Sequence, residues 1–352
     1  MSTPSPHPPS QPAMGEFDLI DRFFTSRFVH LAKEVPLGIG DDCALLSGDG
    51  AHDLAVSSDT MVEGTHFFAD VDPFKLGHKC LAVNLSDLAA CGARPKAFTL
   101  ALTLPSLDEA WLEAFSSGLL ALAQQHGCAL IGGDTTRGPL NIGITIFGEV
   151  PKGQALKRAG AQVGDDLYVS GTLGDARWAL LGLQGGVKMD PETLKATRQR
   201  LEMPEPRVAL GMALRGVAHA AMDLSDGLVG DLRHLLKASQ KGARIDVQRM
   251  LKSELLSNAL RARAPQDALE MVLKGGDDYE LLFSAPQAQR AHIELLAKRL
   301  ALPLTAIGEV TENEGLELRG AQDIGGTGDP SRDLDLDLDL DLNQWVSYDH
   351  FL

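Results

Sequence analysis

Two adjacent carboxylates, Asp41 and Asp42, stand in the segment Gly-Ile-Gly-Asp-Asp-Cys-Ala at residues 38–44, between two glycines and an apolar run. Neighbouring acids repel each other, so a turn that holds both at the edge of a core needs positive charge beside it. Carboxylate oxygens are hard ligands that favour Mg²⁺ or Ca²⁺. Glycine and aspartate are also ordinary turn residues, so this segment alone would indicate only a solvated turn.

The same combination of an apolar run and polar acids recurs along the chain. It is found at Leu54–Thr60, Cys128–Gly138, Ala220–Gly227 and Gly275–Ser284, and Asn84 and Asp87 share one face of a predicted helix. We expect the acids to follow the carboxyl ends of strands, where open α/β sheets place their ligands. This recurrence favours a metal site over scattered, solvated acids.

Phosphate chemistry fits this pattern better than other kinds of catalysis. Gly132 and Gly133 could expose backbone N–H groups to a phosphate, with Asp134 holding a metal ion beside them. The sequence has no P-loop, no protein-kinase signature, no H-E-x-x-H zinc motif and no G-x-S-x-G elbow. In phosphoryl transfer, Mg²⁺ ions on an aspartate cluster could position the groups and neutralise charge.

Helix signals are clear in the first half. Phe17–Leu31 has apolar residues at helical spacing. A second helix should begin after Asp72 as N-cap and end before Gly92. An S-x-x-E capping box at Ser106–Glu109 predicts the start of a third helix, which should run to about His126 and stop at Gly127.

Composition changes around residues 151–163, which predicts a domain boundary. Beyond it we expect a strand over Asp166–Ser170 and helices over Asp175–Leu183 and Leu228–Ala238. The predicted organisation is a disordered tail at residues 1–13, an N-terminal domain at 14–150, a C-terminal domain at 151–320 and a tail at 321–352. The Pro- and Ser-rich start is unlike a signal or transit peptide, and either Met1 or Met14 could be the true start.

The net charge of the chain indicates which classes of partner it would bind poorly. The 352-residue chain has a formal net charge of −16, which argues against nucleic acid or an anionic membrane surface. No apolar run approaches the ~18 residues that a membrane helix needs. The four cysteines lack any C-x-x-C spacing, which indicates free thiols and a cytoplasmic location.

Five Asp-Leu pairs at residues 333–342 indicate a low-complexity acidic segment. No glutamate closes a twelve-residue EF-hand loop there. A non-enzymatic, cation-buffering protein is therefore an alternative hypothesis, although it does not explain the acids that follow apolar runs.

The motifs GIGDDCA, SSDTMVEGTHF, NLSDLAACGA, IGGDTTRG, DLSDGL and GGDDYELLF, with the ending WVSYDHF, closely resemble the thiamine-monophosphate kinases of the aminoimidazole-ribonucleotide synthetase superfamily. The resemblance covers about residues 14–352. It implies a two-domain α/β (α+β) fold and a homodimer whose N-terminal domains form a shared β-barrel. It also implies ATP-dependent phosphorylation of thiamine monophosphate to thiamine diphosphate, the last step in making that coenzyme.

The resemblance also implies site residues. The magnesium ligands would be Asp42, Ser57, Ser58, Asp59, Asp87, Asp134, Asp223 and Asp226. The nucleotide contacts would be Gly133, Asp134, Arg158 and Ser225, and the substrate contacts His66, Glu280 and Trp345. Asp41 and Asp277 are expected to be support residues.

No general base is expected, because a phosphate with a second pKa of about 6 is already a nucleophile at neutral pH. The mechanism implied is direct in-line transfer of the γ-phosphoryl group. Another ATP-using enzyme of the superfamily, such as a selenophosphate synthetase or aminoimidazole-ribonucleotide synthetase, is the runner-up. The first would be expected to carry a reactive cysteine near its N-terminus, and the second a pocket unlike one that ends in Trp345 and Tyr348.

Overall fold

A computed structural model describes residues 35–48 and 50–320, together with positions 20, 21 and 25. The predictions for residues 1–13, for the Asp-Leu run and for Trp345 lie outside these residues, as does nearly all of the predicted helix at Phe17–Leu31. The described chain forms two α/β units, each with one mixed sheet. This confirms the predicted two-domain α/β class, while no closed barrel is present within the described part of this single chain.

The N-terminal unit is a five-stranded sheet in the order β1-β2-β5-β3-β4 with two long helices. Its elements in chain order are β1 (Ala44–Ser47), β2 (His52–Val62), α1 (Pro73–Ala90), β3 (Arg94–Leu104), α2 (Glu109–His126), β4 (Ala129–Arg137) and β5 (Asn141–Pro151). Only the β3–β4 pair is parallel. Alternate residues of β5 are buried, so one face of the sheet packs on the helices.

Helix starts are set by aspartate side chains. The Asp72 carboxylate accepts the N–H groups of Phe74 and Lys75 at 2.9 and 3.3 Å, as predicted for the start of α1. The predicted Ser106–Glu109 capping box is wrong: Asp108 is the N-cap of α2 and accepts the Trp111 N–H at 3.0 Å. Glu109 therefore stands at the first helical position, where its side chain cannot close a box that needs the third.

Two strands are longer than the sequence pattern indicates. β2 continues through Ser57–Asp59, and β4 continues through Gly132, Gly133 and Asp134. The expectation that these acids follow the strand ends is therefore wrong in the N-terminal unit. In β2 the reason is that β5 pairs with it along its whole length, from His52–Pro151 to Val62–Asn141. In β4 it is that β3 pairs with it as far as Leu104–Arg137. Both ladders therefore continue past the polar residues.

The C-terminal unit is a six-stranded sheet in the order β11-β8-β10-β6-β9-β7. Its strands are β6 (Asp166–Ser170), β7 (Ala220–Asp223), β8 (Gly242–Asp246), β9 (Leu281–Ala285), β10 (Leu304–Thr311) and β11 (Gly315–Arg319). Its helices are α3 (Asp175–Leu183), α4 (Pro191–Glu202), α5 (Val208–Leu214), α6 (Leu228–Ser239), α7 (Val247–Lys252), α8 (Asn258–Arg261), α9 (Pro265–Lys274) and α10 (Arg290–Leu300), with a 3₁₀ turn at Gln287–Gln289. β6 and α3 match the prediction, and β7 does end on its acid, Asp223.

Helix α1 joins the two units. Its buried leucines and those of α5 belong to one continuous apolar core that also includes Phe283 of β9. A Cβ atom on Gly211 of α5 would lie 1.9 Å from the carbonyl oxygen of Ala89, so only glycine lets α5 approach the end of α1 this closely. This packing holds α1 against the end of β7.

The cysteines and the described helices bear on two predictions made from the sequence, free thiols and the lack of a membrane-spanning helix. All four cysteines are buried and free, as predicted. Among the described helices, none has the length and apolar character needed to cross a membrane.

Candidate metal centre and adjoining cleft

Three acids from distant parts of the chain meet where the two units join. They are Asp42 before β1, Asp87 on α1 and Asp223 at the end of β7. One carboxylate oxygen from each lies within 4.8 Å of the others. Asp42 and Asp223 are buried, and Asp87 is half-buried. This spacing would let a single divalent cation contact all three.

The electrostatics of the cluster favour such a cation. Burial, followed by the charges of Asp59, Asp223 and Asp42, raises the pKa of Asp87 well above its usual range. Burial and then Asp42 raise the pKa of Asp223 to about 8. Burial also raises the pKa of Asp42, although Arg158 opposes this. The chain by itself thus disfavours ionisation of all three acids, and a divalent cation would reverse that preference.

One atom of the cluster is unsatisfied. Within the described residues, Asp42 Oδ2 is buried without a hydrogen-bond partner. A buried acceptor left in this state costs about 1–3 kcal/mol, and more when it is charged. A cation would satisfy it, so the donor set of three carboxylates fits Mg²⁺.

Arg158 fixes the other side of Asp42. Its Nε and Nη2 atoms donate to Asp42 Oδ1 at 3.0 and 2.5 Å. Its backbone N–H donates to Asp41 Oδ2 at 3.1 Å, while Asp41 Oδ1 accepts the N–H of Asp42 at 3.0 Å. Burial and the neighbouring charge of Asp42 raise the pKa of Asp41 to about 6. Asp41 therefore supports the turn that presents Asp42.

The polar residues of β2 divide between the two faces of the sheet. Ser57 Oγ donates to Asp87 Oδ2 at 2.5 Å, and the Asp59 carboxylate lies close enough for its charge to raise the pKa of Asp87. Ser58 lies on the opposite face, where its hydroxyl donates to the Ile144 carbonyl at 3.2 Å and pairs with Thr145. Alternation along a strand separates Ser58 from its neighbours. The structure brings Ser57 and Asp59 to the cluster but not the Ser58 side chain.

The turn after β7 supplies Ser225 and Asp226, which line the cleft beside the cluster. Its shape is held by Asp231 in the first turn of α6, whose Oδ2 accepts the N–H groups of Asp226 and Gly227 at 3.1 and 3.2 Å. Sequence analysis overlooked Asp231. An acid shortly after a glycine that starts a helix is the signal that would have found it, because such acids reach back to cap.

Gly133 and Asp134 do not join the cluster in the single chain. In the sheet register, Asp59 pairs with Ile144, Ile144 with Leu100, and Leu100 with Gly133. Three strand spacings of about 4.8 Å therefore place Gly133 about 14 Å from Asp59. A Cβ atom on Gly133 would lie 1.9 Å from the Leu100 carbonyl, so this glycine is required by the sheet itself.

A cleft of about 640 Å³ opens beside the cluster, between the two units. One face of α1, from Leu76 through Lys79 and Val83 to Asp87, forms one wall. His66, on the loop between β2 and α1, also lines the cleft. Its Nδ1 accepts the Val62 N–H at 3.0 Å, so a neutral His66 ring carries its proton on Nε2.

In the segment Asp277–Glu280, two side chains face the cleft and two are buried in the core. Asp277 and Tyr279 have positive φ values of 66° and 50° and line the cleft. Asp278 and Glu280 point into the core, at 3% and 0% exposure. Non-glycine residues in this conformation cost about 1–3 kcal/mol each and cluster at functional sites.

Glu280 lies away from the cleft. Its Oε1 accepts from Arg200 at 2.6 Å and from Arg207 at 2.5 Å. Its Oε2 accepts from Ser170 and Arg207, each at 2.6 Å. Both oxygens are thus used inside the protein, and this arrangement does not support the predicted substrate contact. Asp277, expected only to be a support residue, is the acid of this motif that lines the cleft.

Comparison with family models matches both halves of the chain. Residues 40–150 match the model described as AIR synthase related protein, N-terminal domain, and residues 162–321 match its C-terminal counterpart. The thiamine-monophosphate kinase of Escherichia coli (strain K12) is 47% identical over 342 residues, covering 96% of this chain and 99% of that protein. That of Salmonella typhimurium (strain LT2) is 46% identical over 341 residues, with the same coverage.

Comparison with solved structures finds similarity to the same kind of enzyme. The crystal structure of thiamine-monophosphate kinase from Stenotrophomonas maltophilia K279a is 47% identical and superimposes with a TM-score of 0.73, covering 88% of this chain and 98% of that one. AaThiL complexed with AMPPCP and TMP is 32% identical with a TM-score of 0.76, covering 87% and 94%.

Proposed function

This chain belongs to the thiamine-monophosphate kinase family, and we propose that its acid cluster performs the family's reaction through magnesium-assisted, in-line phosphoryl transfer. The reaction itself is the ATP-dependent phosphorylation of thiamine monophosphate to thiamine diphosphate. The observation that carries the mechanistic proposal is the convergence of Asp42, Asp87 and Asp223, two of which, Asp87 and Asp223, line the cleft.

These three acids would hold the metal, with Ser57 of β2 orienting Asp87 and Asp59 lying beside it. Bound Mg²⁺ supplies charge neutralisation for the phosphoryl oxygens of donor and acceptor. The chain's own contribution is positioning: Arg158 and Asp41 fix Asp42, and Asp231 fixes the turn that carries Ser225 and Asp226. The predicted roles of Asp134 and Asp226 as further ligands remain part of the proposal, whereas the Ser58 side chain, which bonds Ile144 and Thr145 on the opposite face of the sheet, is not proposed as a ligand.

No residue is needed as a general base. The acceptor phosphate has a second pKa of about 6, so its oxygen is already ionised at neutral pH. The acids of the cluster would repel this anion, and the cation that they bind reverses the repulsion. Catalysis would therefore depend on alignment of the two phosphates, and loss of a metal ligand would lower the transfer rate.

The cleft fits the rest of thiamine monophosphate. Leu76, Val83 and Leu180 give it apolar walls for flat rings, and His66 also lines it. Asp277 is a cleft-lining acid that could accept a hydrogen bond from the substrate, and we assign it the contact that the sequence pattern suggested for Glu280. The predicted contact with Trp345 remains part of the proposal.

A homodimer completes the proposal. Every residue of the edge strand β4 is exposed, including Leu130 at 53% and Ile131 at 64%. Exposed, apolar edges are covered in native proteins, and a second copy paired here would build the β-barrel that the family resemblance implies. It would also place Gly133 and Asp134 at an interface, where they could contribute to nucleotide binding. We place the enzyme in the cytoplasm, in keeping with its free thiols.

The test is production of ADP and thiamine diphosphate from ATP, Mg²⁺ and thiamine monophosphate. Equal amounts of both products are expected from the wild type, and Asp42→Asn should lose them while circular dichroism shows a retained fold. Asp108→Asn is the matched control, because asparagine also caps helices well and Asp108 lies at the exposed start of α2. Absence of product from folded, magnesium-loaded wild type would refute the proposal.

A further inference from the structure

Lys79 of α1 and Asp277 form an ion pair between the two units. The distance from Lys79 Nζ to Asp277 Oδ1 is 2.7 Å. The Lys79 side chain is 5% exposed and that of Asp277 is 33% exposed. Lysine is almost never buried to this extent unless it is paired, and Asp277 is its one ion-pair partner among the residues that the structure describes.

The pair lies in the cleft at a defined distance from the metal centre. Lys79, Val83 and Asp87 are spaced four residues apart, so they share one face of α1, and all three line the cleft. Eight residues at 1.5 Å per residue separate Lys79 from Asp87 by about 12 Å along the helix axis. A ligand whose phosphate sits at Asp87 would extend its far end toward Lys79 and Asp277.

In the proposed function, the far end of that ligand is the 4-aminopyrimidine ring of thiamine monophosphate. One edge of this ring places a nitrogen acceptor beside an amino donor. Lys79 offers up to three N–H donors and Asp277 offers only acceptors, so the adjacent pair complements that edge. Since the two charges neutralise each other, the pair would present directional hydrogen bonds without repelling the cationic thiazolium.

We propose that Lys79, acting with Asp277, is the specificity-determining residue that recognises the aminopyrimidine edge of thiamine monophosphate. Lys79 Nζ donates to the ring nitrogen, and the Asp277 carboxylate accepts from the amino group. Leu76 and Val83, which flank Lys79 on the same wall, pack against the ring. This inference rests on the proposed function, since it takes the acceptor phosphate to be at the acid cluster.

The test compares thiamine monophosphate with oxythiamine monophosphate, in which an oxo group replaces the amino group. A site built to bond a polar group discriminates strongly against an analogue that lacks it, so the wild type should favour thiamine monophosphate by at least about 100-fold in kcat/KM. Lys79→Met should reduce this ratio to about 10 or less and raise KM for thiamine monophosphate, with KM for ATP within about twofold. Lys79→Arg, which keeps a charged donor, should recover part of the ratio.

Lys75→Met is the matched control. Lys75 lies one turn earlier on α1 and bonds Glu202 of the other unit at 2.8 Å, but it does not line the cleft. It should therefore keep the wild-type ratio. A wild-type ratio in Lys79→Met would overturn the proposal and reduce the pair to a link between units.

A second measurement covers the case in which Lys79→Met fails to fold. Calorimetric titration of the wild type, without ATP, should show tighter binding of thiamine monophosphate than of the oxo analogue. Equal affinities would overturn the proposal. Absence of thiamine diphosphate from the wild type would instead refute the proposed function, so the two failures are distinguishable.

Discussion

Arg158 holds one oxygen of Asp42 and leaves the other open. Its Nε and Nη2 atoms both donate to Asp42 Oδ1, at 3.0 and 2.5 Å, while Oδ2 has no hydrogen-bond partner within the described residues. The arginine thus orients the carboxylate and directs its free oxygen to the cluster with Asp87 and Asp223. The buried pair exposes only 18% and 1% of the two side chains.

Arg158→Met should weaken both the fold and the metal site. Removing one partner of a buried ion pair typically costs about 3–5 kcal/mol, because a charge is left buried alone. We expect a loss of stability of about 3 kcal/mol in urea unfolding and a higher Mg²⁺ concentration for half-maximal activity. Arg319→Met is the control, since both side chains of its pair with Glu317 are more than half exposed and the pair should contribute about 1 kcal/mol or less. Equal losses in both variants would contradict this expectation.

The metal-free protein should become less stable as the pH rises. The pKa of Asp223 is raised from its ordinary value to about 8 by burial and by Asp42. An acid with a raised folded pKa contributes stability that is present below about pH 4 and is lost as the pH rises to about 8. The melting temperature in EDTA should therefore fall between pH 5 and pH 8.5.

Added Mg²⁺ should raise the melting temperature more at pH 8.5 than at pH 6, because the ionised acids then bind it. Asp223→Asn should flatten the pH dependence in EDTA. A wild-type melting temperature that rises with pH over this range would show that ionisation of the cluster does not destabilise the metal-free protein.

Ser57→Ala and Ser58→Ala should differ, although the residues are neighbours. Ser57 donates to Asp87 at 2.5 Å, whereas Ser58 bonds Ile144 and Thr145 on the other face of the sheet. Loss of a hydrogen bond to a charged group is worth about 1.5–3 kcal/mol. We expect kcat to fall about 10-fold or more in Ser57→Ala and to change less than about twofold in Ser58→Ala, each at saturating Mg²⁺. The opposite order would place Ser58 at the metal.

Asp277→Asn and Glu280→Gln should separate substrate binding from folding. Glu280 is fully buried against Arg200, Arg207 and Ser170, so its neutral variant should lose about 3 kcal/mol of stability while KM for thiamine monophosphate stays close to the wild-type value. Asp277 lines the cleft, so its variant should raise that KM about 10-fold with a smaller loss of stability. A raised KM confined to Glu280→Gln would restore the assignment that the sequence pattern suggested.

Local signals in the sequence predicted much of the fold. The α1 cap at Asp72, the end of α2 at Gly127 and the bounds of α3 were all predicted, because each depends on hydrogen bonds and periodicity within a few residues. The acids of the candidate site were also named in advance from the family pattern. The start of α2 was misplaced since two competing polar residues, Ser106 and Asp108, precede it, and only the backbone decides which one caps.

The sequence by itself determined which residue types are available for chemistry: carboxylates without a P-loop, a zinc motif or a nucleophilic elbow. Only the tertiary structure decided which of them meet. Asp42, Asp87 and Asp223 converge because α1 packs against both units, and strand pairing sends Ser57 and Ser58 to opposite faces. Left-handed backbone at Asp277 and Tyr279 likewise decides that Asp277 lines the cleft and Glu280 does not. These outcomes depend on register and packing between residues far apart in the chain, which a local sequence pattern does not encode.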